Sequence, residues 1–189
     1  MLTRRALVRS GLAGGALLLA PPLARAASPD SDLAYLRLLI GVELLIGDFY
    51  DQSLKAGVLD RPTTALASQL RADERAHYNG LATLLTGLGQ VPATAGDFDF
   101  TYPHGTFASW RPILKLASKL ESLALGAYLG AVENVQTQQL RLPIGQIAAN
   151  EAQHASALAH TLGAQPVGRA FAPALQIDAV SAALGAYES

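Results

Sequence analysis

The sequence predicts an all-α protein: four helices arranged as two antiparallel hairpins joined by one long crossover, with a short fifth helix near the C-terminus. Three observations carry this expectation. Apolar residues recur at helical spacing in four long segments, and no stretch reads as a credible strand. The first two segments, and the last two, are separated by only a few residues, which makes each pair an antiparallel hairpin. The stretch 89–109 between the pairs is too long and too rich in Gly and Pro for a tight turn, but long enough to run the length of a bundle.

Residues 1–26 precede the bundle and read as an export signal. Paired arginines at Arg4 and Arg5 stand before the apolar run 11–23, and Ala24-Arg25-Ala26 offers a small-x-small cleavage site. This is the form of a bacterial twin-arginine signal; an ordinary secretory signal or an uncleaved anchor is the other reading. The twin-arginine export machinery moves folded, often cofactor-loaded proteins, and would deliver this one to the periplasm or another extracytoplasmic space. No later segment holds 18 uninterrupted apolar residues, so no stable membrane span is expected after cleavage. Cleavage removes four of the 14 basic residues and none of the 15 acidic ones, leaving a net charge of −5 and nothing that suggests nucleic acid. With no cysteine, disulfides, thiolate metal sites and thiol nucleophiles are excluded.

The bundle is expected over 27–163. Pro29-Asp30-Ser31 supplies cap chemistry for the first helix, whose Leu36, Leu39, Ile40, Ile46, Gly47, Tyr50 and Leu54 recur on one face until Gly57. Pro62-Thr63-Thr64 opens the second, with Leu66, Leu70, Leu81, Leu84, Leu85 and Leu88 running to Gly89. Pro112 falls in the first turn of the third, which carries Leu114, Ala117, Ala124, Leu125, Tyr128, Val132 and Val135. Pro143 begins the fourth, with Ile144, Ile147, Ala148, Ala155, Leu158 and Leu162 before Gly163. The tail 164–189 contains Pro166, Gly168 and Pro173, then a short amphipathic piece at 178–187 expected to pack on the outside.

Six polar residues fall on the apolar faces. Glu43 sits within one turn of Leu39, Ile40, Ile46 and Gly47, and Glu121 holds the same place among Ala117, Ala124 and Leu125. On the second helix Glu74 follows Leu70 by four and His77 precedes Leu81 by four; on the fourth, Glu151 lies between Ala148 and Ala155, with His154 before Leu158. The pattern is Glu, Glu-x-x-His, Glu, Glu-x-x-His. Spacing of i, i+3 puts carboxylate and imidazole on one face, able to converge on a metal ion. Glu43 to Glu74 spans 31 residues and Glu121 to Glu151 spans 30, so the hairpins read as an internal repeat. Tyr50 and Tyr128 follow the lone glutamates by seven residues, two turns along the same face, as natural hydrogen-bond donors to carboxylates.

Charge makes the same case. Four unpartnered carboxylates buried in an apolar bundle would cost several kcal/mol each or stay protonated, whereas two divalent ions balance them. With only six glutamates and four histidines in the chain, this joint placement is a far stronger signal than any single Glu-x-x-His. The remaining polar residues carry less. His104 and His160 read as structural or solvated, and Glu133 as exposed. Asp73, about 100° round the helix from Glu74, is expected to face away as a surface or helix-pairing residue, and Arg75 likewise. Asp48, Asp51 and the stretch 97–100 read as capping and packing the loop, with an ion path as the other reading.

With Glu43, "ERAH" at 74–77, Glu121, "EAQH" at 151–154 and "FDF" in the crossover, the chain resembles the ferritin-like superfamily over about residues 31–163. It is most similar to exported bacterial ferritin-like domain proteins, some of which are called desiccation-related. The resemblance implies two iron or two manganese ions, with Glu43 and His77 on one, Glu121 and His154 on the other, and Glu74 and Glu151 bridging. Lack of cysteine excludes a rubredoxin-type electron-transfer centre. With Met1 the only methionine, the mature chain cannot build a bis-methionine haem site, so no haem is expected.

Two classes of function follow. In one, the six residues form the catalytic centre of an oxidoreductase that oxidises ferrous ion or reduces dioxygen or peroxide. In the other, the protein is a non-catalytic metal-binding or structural component of the cell envelope, linked to stress or desiccation. Exchangeable carboxylate coordination favours the first. The ligand set suits iron and manganese alike, and an oligomer is compatible with the pattern.

Overall fold

Five helices in chain order account for most of residues 29–189, which the computed structural model of the protein describes; the expected export signal lies outside them. They are α1 (Asp30–Lys55), α2 (Arg61–Gly87), α3 (Trp110–Asn134), α4 (Gln138–Thr161) and α5 (Ile177–Gly185). α1 packs on α2 and α3 on α4, the two pairs meet chiefly through α1 and α3, and the crossover between α2 and α3 holds only two short 3-10 turns. This is a four-helix bundle of two hairpins with a short C-terminal helix. Among the described residues there is no strand, only an isolated bridge between Phe100 and Glu188, and no helix long and apolar enough to cross a membrane.

The helices differ in how much of their surface they bury, and their sequences say why. α2 is amphipathic: Ala67, Leu70, Glu74, His77, Leu81 and Leu85 form one buried stripe at three- and four-residue intervals. α1 is buried nearly all round, with Leu36, Leu39, Ile40, Val42, Leu45, Ile46 and Phe49 inaccessible or almost so. It is covered on successive sides by α2, α3 and α5, while Tyr102 of the crossover donates to the Leu45 carbonyl at 3.0 Å. A helix apolar on all faces belongs at the centre of a fold, and α1 is that helix here.

Helix starts follow local rules except in one case. α2 is capped by Asp60, whose carboxylate accepts the Thr63 N–H at 2.9 Å, with Pro62 in the first turn. Pro112 likewise lies in the first turn of α3. The expectation that Pro143 begins the fourth helix is corrected: α4 starts at Gln138 and runs through the proline. Pro143 has no N–H for the Gln139 carbonyl, an omission that disfavours the helix locally. Burial of Leu140 and Ile144 on the same side outweighs it, and the Arg141 guanidinium secures the incoming chain by donating to the Val135 carbonyl at 3.0 and 3.1 Å.

Two contacts tie the ends of the chain into the bundle. Asp32, fully buried in the first turn of α1, accepts the Gln136 N–H at 2.9 Å and the Thr137 N–H at 2.8 Å, pinning the three-residue link before α4. In the tail, the Leu175 N–H donates to the Gly126 carbonyl at 2.9 Å. The strap approaches α3 so closely that a Cβ on Gly130 would lie 1.9 Å from the Leu175 oxygen. Gly41 on α1 similarly makes room for Leu184 of α5.

Asp32 supplies a stability test with a definite sign. Burial opposes its charge, but hydrogen bonds from Thr137 and Gln136 outweigh that and hold its pKa below the ordinary 3.8. A depressed folded-state pKa stabilises the fold above the unfolded value, and the contribution fades as pH falls through the folded one. Asp32→Ala is expected to lose about 2 kcal/mol at pH 7 by denaturant unfolding. Its gap to the wild-type protein should narrow when the same titration is run well below pH 3.8.

Candidate metal centre

Each of the four bundle helices turns one acidic position into the same interior layer. α1 supplies Glu43, α3 Glu121, α2 the pair Glu74 and His77, and α4 the pair Glu151 and His154; none of the four glutamates is more than 1% exposed. Because α2 and α4 are each buried along a single stripe, the i, i+3 pair falls on that stripe and both members face inward.

The imidazoles sit among the carboxylates through their Nδ1 atoms. His77 Nδ1 lies 2.9 Å from Glu151 Oε1, 3.3 Å from Glu74 Oε2 and 3.6 Å from Glu43 Oε2. His154 Nδ1 lies 3.1 Å from Glu74 Oε1, 3.2 Å from Glu121 Oε2 and 3.4 Å from Glu151 Oε2. Ligand-type atoms of Glu43, Glu74, His77 and Glu151 fall within 4.8 Å of one another, as do those of Glu74, Glu121, Glu151 and His154. Glu74 and Glu151 belong to both groups. The layer therefore offers two adjoining pockets of oxygen and nitrogen atoms that share two carboxylates.

The tyrosines are hydrogen-bonded to the layer, but not to the glutamates that precede them. Tyr50 donates to Glu121 and Tyr128 to Glu43, each crossing between α1 and α3. Burial, reinforced by these carboxylates, pushes both phenols well above their usual pKa and keeps them as donors.

Donors then run out. Glu43 Oε2, Glu74 Oε1 and both Glu151 oxygens are closed off from solvent with no hydrogen-bond donor in a bonding geometry. Burial together with the Glu43 and Glu121 charges drives the Glu74 carboxyl well above its usual range, and burial lifts Glu121 to about 8 although His154 opposes it. Burial would raise Glu151 too, but the close imidazoles of His154 and His77 override it and pull it to about 2. For the imidazoles, burial disfavours the charge, yet Glu151, Glu43 and Glu74 hold His77 near 12, and Glu121, Glu151 and Glu74 raise His154 further. Protons thus occupy positions where cations would serve better. Orphaned oxygens around two nitrogen donors fit a pair of metal ions, and oxygen-rich donor sets suit iron or manganese.

The outward nitrogens reveal what the sequence reading missed. His77 Nε2 meets Asn150 Oδ1 at 2.9 Å, and His154 Nε2 lies 3.4 Å from Asp73 Oδ2. Each partner is the residue immediately before the glutamate on the opposite hairpin. Of the two places expected for Asp73, surface or helix pairing, the structure shows the second: a turn of about 100° from Glu74 carries its carboxylate out of the ligand layer and into the α2–α4 seam, where it also accepts from Gln69. The signal was available in the repeat, since Asp73 and Asn150 hold equivalent places in "DERAH" and "NEAQH". Arg75, Glu133, His104 and His160 are exposed and outside the layer. Asp97 caps its own turn through Thr94, and Asp48 accepts from Tyr102 at 2.8 Å, so both pack the crossover as expected.

Comparison with known proteins agrees with this fold. A family model described as ferritin-like domain matches residues 31–164. No curated protein sequence matches. Among solved structures, a conserved hypothetical protein from Mycobacterium tuberculosis is similar with a TM-score of 0.63 and 20% identity, over 75% of this chain and 97% of that one. A structure from Bacillus anthracis described as ferritin like, diiron-carboxylate proteins is similar with a TM-score of 0.60 and 18% identity, over 70% and 96%. A hypothetical protein from Methanococcus jannaschii gives 0.62 and 12%, over 88% and 98%.

Two outcomes are expected from the layer. Because divalent ions must displace the imidazole protons of His77 and His154 and the protons that burial holds on Glu74 and Glu121, their binding should release more than two protons per chain near pH 7 and tighten as pH rises from 6 to 8. Titration in a lightly buffered solution with a pH indicator measures both. Asp73→Ala should weaken one of two binding steps by about tenfold or more and Asn150→Ala the other, read by calorimetric titration.

Proposed function

We propose, from the premise that the chain belongs to the ferritin-like domain family, that it binds two iron or two manganese ions and oxidises ferrous ion or reduces dioxygen or peroxide. One observation carries this reading: four buried carboxylates and two imidazoles converge in one layer with several oxygens lacking any donor. Glu43 and His77 serve one ion, Glu121 and His154 the other, and Glu74 and Glu151 both. The diiron-carboxylate description of the Bacillus anthracis structure supports two ions rather than one.

Bound in their reduced state, such ions supply electrons to dioxygen or peroxide. The chain's own residues set the conditions. Tyr50 and Tyr128 fix the orientation of Glu121 and Glu43, Asn150 holds the His77 imidazole, and Asp73 stands 3.4 Å from the outer nitrogen of His154. Leu36, Ile40, Leu81 and Ile144, all inaccessible, help line a dry bundle in which charges interact strongly. The arginine pair and cleavage site in residues 1–26 support export of the folded, loaded protein to an extracytoplasmic space, as in exported ferritin-like proteins of the desiccation-related type.

Anaerobic loading with ferrous ion followed by air or peroxide tests the reading. The wild-type protein should hold two ions per chain by metal analysis and generate ferric absorption in the near ultraviolet at least about tenfold faster than Glu74→Ala. Two bound ions with no rate difference would instead assign the protein a non-catalytic metal-binding role.

A further inference from the structure

The two hairpins are alike in their glutamates and histidines but not in what surrounds them. Glu43 and Glu74 form the floor of a cleft of about 240 Å³ between α1 and α2, which opens to solvent past Asp51, Arg75 and Ala95. Leu44 and Tyr78 form its walls, the latter held by a hydrogen bond from its hydroxyl to the Ala93 carbonyl at 3.0 Å. Gly47, one turn beyond Glu43, lies at its side, and a Cβ there would meet nothing within 4 Å. The space is open because that side chain is missing.

In the other hairpin, the place four residues beyond Glu121 is held by Leu125 rather than glycine. The positions matching Asp48 and Asp51 are Gly126 and Leu129, so the acidic character is absent as well. A hollow does border Ser122, Leu125 and Gly126, but it reaches none of the six inward residues and is flanked by the tail at Arg169, Ala172 and Pro173. Of these two hollows, the one between α1 and α2 reaches residues of the metal layer and the one beside α3 does not.

We infer that the α1–α2 cleft is the route by which divalent cations reach the centre, with Gly47 as its aperture. The inference rests on the reading of the layer as a metal site. Asp51 and Asp48 line the cleft with negative charge, and its floor is formed by Glu43 and Glu74, whose Oε2 and Oε1 atoms lie behind that floor in the layer, closed off from solvent and without donors. Asp48 thus packs the crossover through Tyr102 and lines the route as well. A cation entering here meets acceptors in sequence and ends between a terminal carboxylate and a shared one. Arg75 and the Arg71 partner of Asp51 temper the negative charge at the mouth.

The test uses the full bundle and Co²⁺, with uptake followed by a metallochromic dye in stopped flow. Gly47→Leu, which places in α1 the side chain that α3 already carries at 125, should slow uptake on the order of tenfold while the final stoichiometry stays at the wild-type value. Gly47→Ala should give a smaller slowing. Asp51→Lys should slow uptake about tenfold at low salt, with the difference fading as ionic strength rises. Ser122→Leu, on the opposite hairpin, should match the wild-type rate. Gly47→Leu and Gly47→Ala loading at the wild-type rate, or Ser122→Leu slowing as much as they do, would overturn the route. Failure of the wild-type protein to take up any cation is a separate result that removes the metal site and the route together.

Discussion

Placing four carboxylates and two imidazoles inside an apolar bundle is the constraint from which the rest of this structure follows. Without counter-charge the layer would repel itself apart, because each anion has lost its water and faces others at close range. The chain meets part of the demand itself: two tyrosine hydroxyls donate inward, and the imidazoles carry protons against the pull of burial. Three of the four carboxylate oxygens that remain without donors belong to Glu74 and Glu151, the residues common to both groups, so the deficit is concentrated where cations would sit.

The tyrosines also explain why the hairpins dock as they do. Each hydroxyl reaches the glutamate of the other hairpin, so each lone glutamate takes its tyrosine donor from across the seam. The supports of the imidazoles obey the same rule, with Asp73 of α2 serving His154 of α4 and Asn150 of α4 serving His77 of α2. Polar contacts across the seam thereby select one register of docking from the many that apolar side chains alone would accept, since buried polar groups penalise every register that leaves them unpaired.

Much of this was legible in the amino-acid sequence because helical spacing determines which face a residue occupies. Glu43, Glu74, His77, Glu121, Glu151 and His154 could be assigned to buried stripes from their distances to neighbouring leucines and alanines, and the structure brings all six together. Spacing along one helix does not say which neighbouring helix a side chain reaches. That is why the spacing does not name which carboxylate Tyr50 and Tyr128 reach, or show that Asp73 meets His154 across the seam. Pro143 was misjudged for a related reason: a local preference for helix starts yielded to burial of Leu140 and Ile144, which depends on tertiary neighbours. The strap at Leu175 escaped notice although Gly126 and Gly130, four apart on one helix, mark where another backbone comes close.

That strap has a consequence for how copies of the protein could associate. Leu175 crosses α3 at Gly126 and Gly130, and α5 then lies against α1 and α3 with Leu184 seated at Gly41. The chain thus covers with its own last residues the broad apolar flank that the two central helices would otherwise present to solvent. Side-by-side pairing through the flank of α1 and α3 that α5 covers is closed while this segment stays in place. The C-terminal segment acts as a built-in substitute for a neighbouring subunit.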